Sequence, residues 1–295
     1  MKVFKGKTVV ITGAASGIGR AIAERCARAE MKIVLADIEE APLLALAEEL
    51  RAKGADILAV RTDVSKLLDM EKLAQRAIDT FGKVHLLFNN AGVIGAFTSL
   101  WKSTMEDWEW VISVNLYGVI HGVRVFVPIM LAQEDDCHVV NTASLGALVY
   151  AQGGLYSVTK HAVVGLSETL YRELLKKKSK IRVSVFCPAF VRTRIQESYR
   201  NYPFAKETIR VDEEYQKLEH TRNQAVQQGL EPEEAVDILF RGIEEEKLYI
   251  LTNYEEAKPM IQYRMECIQE GKGPQPRVRR TQNRLLHGTE NSKID

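Results

Sequence analysis

The sequence has few cysteines, and neither its cysteines nor its histidines have a metal-binding spacing. The four cysteines are spread over 295 residues and form no Cys-x-x-Cys pair. Such usage is typical of the reducing cytoplasm, where thiols stay unpaired. The six histidines form no His-Glu-x-x-His or related pattern. We therefore expect a cytoplasmic protein that binds no metal.

The sequence also lacks a charge bias and a long apolar run. Its net charge is +1, which gives no global reason to bind nucleic acid or an anionic membrane. No apolar run approaches the ~20 residues that cross a bilayer. The amino terminus enters a strand pattern almost at once, without a signal-peptide pattern. We expect neither a nucleic-acid partner nor a membrane partner.

Short apolar runs alternate with amphipathic stretches along most of the chain. The runs predict strands at 7–12, 32–37, 57–62, 84–88, 138–143, 181–187 and 248–252. Helices are predicted after residue 19, at 42–53, 67–81, 105–133 and 156–176, and from Pro232 onward. Strands without apolar–polar alternation are buried on both faces, and strand–helix alternation indicates βαβ units. The predicted fold is α/β, a single-domain Rossmann-like doubly wound parallel sheet of about seven strands with helices on both faces.

Three segments depart from this alternation. Pro128 predicts a bend or restart in the long helix at 105–133. Residues 190–229 mix aromatic and charged residues without periodicity, as in a mobile segment over a site. From residue 271 on, Gly, Pro, Arg and polar residues indicate a flexible basic tail. We expect one Rossmann-like domain at 1–270, with a lid at 190–229 and the tail at 271–295.

A glycine loop, Gly13 to Gly19, joins the first strand to the first helix. Glycines allow close backbone approach, and free N–H groups at a helix start point at phosphate. The spacing is Gly-x-x-x-Gly-x-Gly rather than the usual Gly-x-Gly-x-x-Gly. Asp37 ends the second strand, where a carboxylate binds ribose hydroxyls and repels a 2′-phosphate, favouring NAD over NADP. Two alternatives stay open: Asp37 caps the next helix, and Arg20 accommodates NADP.

Ser144, Tyr156 and Lys160 form a candidate catalytic group. Tyr156 and Lys160 are four residues apart, so a helix places them on one face. An ammonium beside a phenol lowers the phenol pKa, which suits acid–base catalysis near neutral pH. Ser144 follows a predicted strand and could donate to a carbonyl oxygen. Asn115 lies in an apolar helix, where it either bonds to backbone or kinks the helix and holds a water.

These motifs, in this order, resemble the short-chain dehydrogenase/reductase family from Lys7 to about Thr252. The matching pieces are TGAASGIG at Thr12 to Gly19, Asp63-Val64, NNAG at Asn89 to Gly92, Asn115, Ser144, YSVTK at Tyr156 to Lys160 and PAFVRT at Pro188 to Thr193. The resemblance implies that Tyr156 is the acid/base and that Ser144 positions the carbonyl oxygen. It also implies that Lys160 bonds the nicotinamide ribose and tunes Tyr156, and that Asn115 holds a water linked to Lys160.

The same resemblance implies which residues bind the cofactor. They are Gly13, Ser16, Gly17, Ile18, Gly19, Asp37, Asp63, Val64, Asn90, Ala91, Gly92, Tyr156, Lys160, Pro188, Val191 and Thr193. One departure is Ala189, where the family usually has Gly. We expect a slight narrowing beside the nicotinamide and no loss of cofactor binding.

The expected function is hydride transfer between NAD(H) and a secondary alcohol or ketone. Apolar residues at 94–97, 145–154 and 190–204, including Phe97, Leu145 and Val149, predict a lipophilic or cyclic substrate. The resemblance implies dimers or tetramers through the helices at 105–133 and 156–176. The alternatives are an NADP(H)-preferring carbonyl reductase, a member that epimerises or dehydrates, and a catalytically silent cofactor sensor. The silent sensor would have lost Ser144, Tyr156 or Lys160.

Overall fold

The computed structural model describes residues 3–95, 99–150, 154–204 and 213–273, with the backbone alone at 213–219. Phe97, predicted to line the substrate site, lies outside the described residues. So does the predicted tail, apart from residues 271–273.

The predicted seven-stranded parallel sheet is confirmed. Its strands are β1 (Thr8–Thr12), β2 (Lys32–Asp37), β3 (Ile57–Arg61), β4 (Leu86–Asn89), β5 (Cys137–Thr142), β6 (Ile181–Cys187) and β7 (Tyr249–Leu251). They run in the order β3-β2-β1-β4-β5-β6-β7, and every pair is parallel. The chain reverses direction across the sheet between β1 and β4, which is where such folds hold ligands.

Helices cover both faces of the sheet. In the described residues they are α1 (Gly17–Arg28), α2 (Glu40–Ala52), α3 (Leu67–Phe81), α4 (Met105–Ile112), α5 (Gly118–Gln133), α6 (Gly154–Lys176), α7 (Glu213–Gln227), α8 (Pro232–Glu244) and α9 (Tyr254–Gln269). Val9 of β1 faces the core layer built with α1, α2 and α8, whereas Val10 faces the layer with α3, α5 and α6. This follows from the period of two along a strand, and it explains why these strands are apolar throughout.

The long helix predicted at 105–133 is interrupted, but not at Pro128. A π-helical turn, Ser113–Tyr117, separates α4 from α5, and α5 continues through Pro128. A proline removes only one backbone donor, and α5 tolerates that loss. Asn115 lies in this π-helical turn; a kink of the helix at Asn115 stays a prediction.

The stretch Met105–Gln133 is also apolar and long enough to pass a composition test for a membrane span, with a mean hydropathy of 1.5. Several of its side chains, such as Val119, Phe126 and Met130, are buried in the core layers of the sheet. Core helices of globular proteins pass the same test. The absence of a membrane partner stays a prediction.

Two helices were not predicted. α7 lies in the segment 190–229, which was expected to be irregular, and α9 follows β7 directly. α9 packs over the loop after β5, where Ala257 and Met260 contact Leu145 and Val149. Leu145 and Val149 therefore pack against α9 and are not among the residues that line the cavity described below.

Candidate active site

A single cavity follows the carboxyl ends of the strands and collects most of the predicted site residues. Those lining it are Gly13, Ser16, Gly17, Ile18, Asp37, Asp63, Val64, Asn90, Ala91, Gly92, Ser144, Tyr156, Lys160, Pro188, Val191 and Thr193. Gly19 and Asn115 are buried and do not line it. The motifs, which span 181 residues from Gly13 to Thr193, are thus brought to one edge of the sheet.

The glycine loop is packed too tightly for side chains. A Cβ on Gly19 would lie 1.9 Å from the carbonyl oxygen of Gly13. A Cβ on Gly17, whose φ is +52°, would lie 2.9 Å from Cγ2 of Thr193. α1 begins at Gly17, so its first free N–H groups face the cavity edge, and they form a site for a phosphate.

Both carboxylate oxygens of Asp37 accept backbone hydrogen bonds. Oδ2 accepts from Ala15 N at 2.9 Å, and Oδ1 accepts from Glu39 N at 3.0 Å. Burial is the main reason that the Asp37 pKa is raised, and these two hydrogen bonds oppose it. Asp37 is not the N-cap of α2, because that position is Glu39. The carboxylate instead joins the glycine loop to the start of α2.

A bidentate ion pair joins the same end of the cavity to the segment after Thr193. Arg200 donates from Nε and Nη2 to the two carboxylate oxygens of Glu39 at 2.9 and 2.8 Å. Arg200 is the main cause of the lowered Glu39 pKa. Its guanidinium is therefore held by a carboxylate, and the neighbouring Arg20 is held by Glu24 and Glu49.

Asp63 and Val64 form the next part of the wall, after β3. Oδ1 of Asp63 accepts from the backbone N and from the hydroxyl of Ser65, at 3.1 and 2.6 Å. The carbonyl oxygen of Val64 lies 2.9 Å from Nδ1 of His121 on α5. These bonds fix the loop that lines the cavity between Asp37 and the strand ends.

Asn90 ties three strand ends together below the cavity. Its backbone N donates to Oγ1 of Thr12 at 2.9 Å, and its Nδ2 donates to the carbonyl of Thr12 at 3.1 Å. The hydroxyl of Thr142 lies 3.4 Å from Oδ1 of Asn90. The ends of β1, β4 and β5 are therefore fixed relative to one another.

Ser144, Tyr156 and Lys160 meet at the other end of the cavity. The Ser144 side chain lowers the pKa of the Tyr156 hydroxyl, and its Oγ accepts a hydrogen bond from Gly146 N at 3.2 Å. Lys160 is 2% exposed, and its Nζ donates to the Thr142 carbonyl oxygen at 2.8 Å. Nζ lies 5.6 Å from the centroid of the Tyr156 ring.

The electrostatics of this group differ from the expectation. Burial raises the Tyr156 pKa, and the polar side chain of Ser144 and the charge of Arg222 only partly oppose it. Burial also lowers the Lys160 pKa to about 8. The expectation that Lys160 makes Tyr156 acidic is not met in this structure, because burial outweighs the nearby charges and Lys160 is not among the groups that shift the Tyr156 pKa.

Asn115 lies behind this group in the π-helical turn. Its Nδ2 donates to the Val93 carbonyl at 2.8 Å and lies 3.1 Å from Oγ1 of Thr159, while its Oδ1 accepts from Val93 N at 2.8 Å. The alternative in which Asn115 bonds to backbone is met, and the helix has a π-helical turn there. A water held by Asn115 stays a prediction.

The stretch after β6 forms the wall opposite the glycine loop. The carbonyl of Pro188 accepts from Leu145 N at 2.9 Å, and Ala189 N donates to Oγ1 of Thr252 at 3.0 Å. Ala189 lines the cavity and also packs against the cluster formed by Leu145 and α9. The narrowing expected from Ala189 stays a prediction.

Two arginines at the site were not predicted from the sequence. Arg222 of α7 lines the cavity although no motif includes it. Arg264 of α9 donates from Nη1 to the Ala147 carbonyl oxygen at 2.7 Å and so holds the loop after Ser144. A helical pattern at 213–227 and at 254–269 was the available signal for both.

Comparisons with known proteins place the chain in a family whose motifs it shares. A family profile described as short chain dehydrogenase matches residues 7–203. The chain belongs to the short-chain dehydrogenase/reductase family. A similar structure, from Burkholderia phymatum, is a short-chain dehydrogenase/reductase in complex with NAD. It is 44% identical, covers 93% of this chain and 98% of its own, and has a TM-score of 0.89.

Two curated relatives extend over most of the chain. The CLA biosynthesis dehydrogenase/reductase of Lactiplantibacillus plantarum is 33% identical over 91% of this chain and 95% of its own. The 1-deoxy-11-beta-hydroxypentalenate dehydrogenase of Streptomyces avermitilis is 33% identical over 83% of this chain and 84% of its own. The protein is therefore a short-chain oxidoreductase that acts on alcohols or ketones, in class EC 1.1.1.-.

Proposed function

We propose that the protein transfers a hydride between NAD(H) and a lipophilic secondary alcohol or ketone, with Tyr156 as the acid/base. The observation that carries this proposal is the shared cavity. Ser144, Tyr156 and Lys160 line one end of it, and the glycine loop and Asp37 line the other. A dinucleotide has its reactive ring at one end and its adenosine at the other, so the two groups of residues suit the two ends.

The residues present fit the cofactor. The N–H groups at the start of α1 suit the pyrophosphate, and Asp37 suits the adenosine ribose. Asp63 and Val64 are proposed to contact the adenine, Asn90 to Gly92 the middle of the cofactor and Thr193 the carboxamide. A 2′-phosphate would meet the carboxylates of Asp37 and Glu39, while Arg200 and Arg20 are already ion-paired. NAD is therefore the proposed cofactor, and when bound it supplies or accepts the hydride.

Three residues of the chain are proposed to handle the proton. Tyr156 gives its hydroxyl proton to the carbonyl oxygen during reduction and takes it back during oxidation. Ser144 and Tyr156 line the same cavity, so a substrate oxygen placed between their hydroxyls can accept from both. Lys160 is proposed to bond the nicotinamide ribose while its Nζ stays anchored to Thr142, with Asn115 behind it.

The substrate end of the cavity is mostly apolar. Ile94, Trp110, Val114, Phe190, Ile195 and Val226 line it. Apolar walls with a few polar groups favour a lipophilic body around one reacting oxygen. The relative from Streptomyces avermitilis is named for a hydroxylated substrate of its own, which supports an alcohol or ketone here.

We propose a cytoplasmic homodimer or homotetramer with no nucleic-acid or membrane partner. The four cysteines are free and buried, which suits a reducing compartment. Residues 1–270 are proposed to form the dehydrogenase domain, 190–229 to cover the substrate, and 271–295 to be a tail outside it.

The test is a screen of purified protein against alcohols and ketones, in which the absorbance of NADH or NADPH reports turnover. We expect turnover of apolar cyclic or aromatic ketones with NADH. Turnover with NADPH alone would replace the cofactor assignment by the NADP(H)-preferring alternative. Cofactor binding without turnover of any substrate would favour a silent sensor.

A further inference from the structure

A short 3₁₀ segment, Ile195–Asn201, follows β6 and lines the cavity; we call it the strap. Its lining residues are Ile195, Gln196, Ser198, Arg200 and Asn201. The same cavity is lined by Gly13, Asn90 and Thr142, at the ends of β1, β4 and β5. The cavity therefore lies between the strap and the ends of these strands.

An ion pair ties the end of the strap to the far side of the sheet. Arg200 binds both carboxylate oxygens of Glu39, which stands two residues after β2. In the sheet, β2 and β6 are separated by β1, β4 and β5, a span of about 19 Å at the usual strand spacing. The strap therefore crosses the point between β1 and β4 where the chain reverses direction and where such folds hold ligands.

Two further contacts hold the middle of the strap. Oγ of Ser198 accepts from Ile94 N at 3.0 Å, and the Tyr199 hydroxyl donates to Oδ1 of Asp107 at 3.2 Å. Ser198 and Asp107 are 4% and 3% exposed, so both contacts are shielded from water. The middle of the strap is thus fixed by buried contacts to the chain between β4 and β5, whereas its end at β2 is held by the ion pair.

The ion pair is strong enough to hold this end and accessible enough to open. The side chains of Glu39 and Arg200 are 21% and 26% exposed, and Arg200 is the main cause of the lowered Glu39 pKa. A bidentate, charge-assisted pair is stronger than a single exposed contact. Water and salt reach this pair, while the Ser198 contact is buried. The strap should therefore open at its β2 end first.

The proposed function places a dinucleotide between Tyr156 and Asp37, and therefore beneath the strap. We propose that Glu39 and Arg200 retain the cofactor: their ion pair holds the strap closed over the dinucleotide and sets the rate of NADH release. Neither residue belongs to the motifs named above. This inference rests on the proposed function, since it concerns the cofactor of the same site.

Stopped flow measures the rate constant of NADH release, koff. The NADH complex is mixed with excess NAD⁺, and the NADH fluorescence is followed for wild type, Glu39→Gln, Arg200→Met and Arg200→Lys. We expect Glu39→Gln and Arg200→Met each to raise koff about tenfold, because a charge-assisted pair no longer closes the strap. Arg200→Lys keeps the charge without the planar fork, so it should give an intermediate rate.

The direction of the Glu39→Gln effect separates this role from direct attraction. If charge alone acted on the anionic cofactor, removing a carboxylate from the wall would slow its release. Closure by the pair predicts that both variants speed release, although they remove charges of opposite sign. The double variant should release NADH at no more than about twice the rate of either single variant. Unchanged or slower release in Glu39→Gln, or effects that multiply in the double variant, would overturn the inference.

Arg182→Met is the matched control. Arg182 also donates from Nε to a glutamate, Glu246, at 2.8 Å, but these two residues are not among those that line the cavity. Its loss should leave koff unchanged, and an equal rise in koff there would overturn the inference. Where Arg200→Met fails to fold, Glu39→Gln and Arg200→Lys decide.

The measurement needs no substrate, so it separates this inference from the proposed function. A wild type that binds no NADH would refute the cofactor assignment, and the role of the strap with it. A wild type that binds NADH and releases it as fast as every variant would refute the role of the strap alone.

Discussion

Lys160 is hydrogen-bonded to the carbonyl oxygen of Thr142, through its Nζ at 2.8 Å. Thr142 is the last residue of β5, two positions before Ser144, so the bond joins helix α6 to the strand that carries the serine. Nζ faces the ring of Tyr156 from 5.6 Å. Lys160 thus fixes the position of Tyr156 relative to Ser144, and burial keeps the Tyr156 pKa above its usual value.

The glycine loop should not accept a methyl group at Gly19. Gly19→Ala places Cβ 1.9 Å from the Gly13 carbonyl oxygen, so the loop must move. We expect NADH affinity to fall by about tenfold or more, because the displaced N–H groups no longer face the phosphates. Titration of NADH by calorimetry measures this affinity.

Gly165→Ala is the control for this substitution. Gly165 lies in α6, and a Cβ there would meet nothing within 4 Å. Alanine should raise helix stability by up to about 1 kcal/mol and leave NADH affinity unchanged. Unchanged affinity in Gly19→Ala as well would remove the loop from the cofactor site.

Asp37 should set the choice between the two cofactors. Asp37→Asn keeps an oxygen that can accept from Ala15 N but removes the charge that repels a 2′-phosphate. We expect kcat/KM with NADPH to rise by about tenfold, relative to NADH, from the loss of one unfavourable charge contact. Steady-state assays with both cofactors measure the ratio, and wild-type preference for NADPH would contradict the assignment.

His138 should make the fold sensitive to acid. It is fully buried in β5, with Nε2 2.8 Å from the Ser184 hydroxyl, and burial lowers its pKa to about 3. The unfolded chain takes up a proton near its ordinary pKa of 6.5, but the folded chain does not until about pH 3. The stability that the folded protein gains by keeping His138 neutral is therefore fully present above pH 6.5. It is lost as the pH falls toward 3.

Urea unfolding of wild type and His138→Gln across this range measures the effect. We expect the wild-type free energy of unfolding to fall more steeply, by up to about 1.4 kcal/mol per pH unit. Glutamine keeps a donor for Ser184 but does not titrate. Parallel pH dependences for the two proteins would show that His138 is protonated in the folded state.

The proposed assembly should depend on the paired helices around Asn115. Tyr117 is 50% exposed and Val158 is 43% exposed, and the segments that carry them, the π-helical turn and α6, pack together. Val158→Glu should shift the protein toward monomer in light scattering, because it places a charge in an apolar contact. Leu68→Glu, at a 60% exposed position on α3, is the control. A monomeric wild type at micromolar concentration would contradict assembly.

Much of this architecture could be predicted because the sheet is buried on both faces. Its strands are apolar throughout, and the glycine loop and Pro232 mark helix starts. The two edge strands, β3 and β7, and the five inner strands of the sheet all follow from such runs. A restart at Pro128 was wrong, because α5 continues through Pro128. The π-helical turn lies instead at Asn115, whose side chain reaches the backbone of Val93.

What could not be predicted depends on tertiary packing. α7 and α9 have weak apolar stripes, and they are fixed by contacts with distant segments, such as Arg264 with Ala147. Arg222 reaches the cavity only because α7 is joined to the chain after β6. The pKa of Tyr156 likewise depends on burial, which the spacing of Tyr156 and Lys160 does not reveal.

The central claim is that the Tyr156 hydroxyl transfers the proton, and Tyr156→Phe tests it most directly. Kinetics with NADH and the best ketone of the screen are compared with Tyr171→Phe, a tyrosine of the same helix α6. The account predicts a loss in kcat of about a hundredfold or more, with NADH affinity retained and Tyr171→Phe unaffected. Turnover of Tyr156→Phe close to that of wild type would contradict the account.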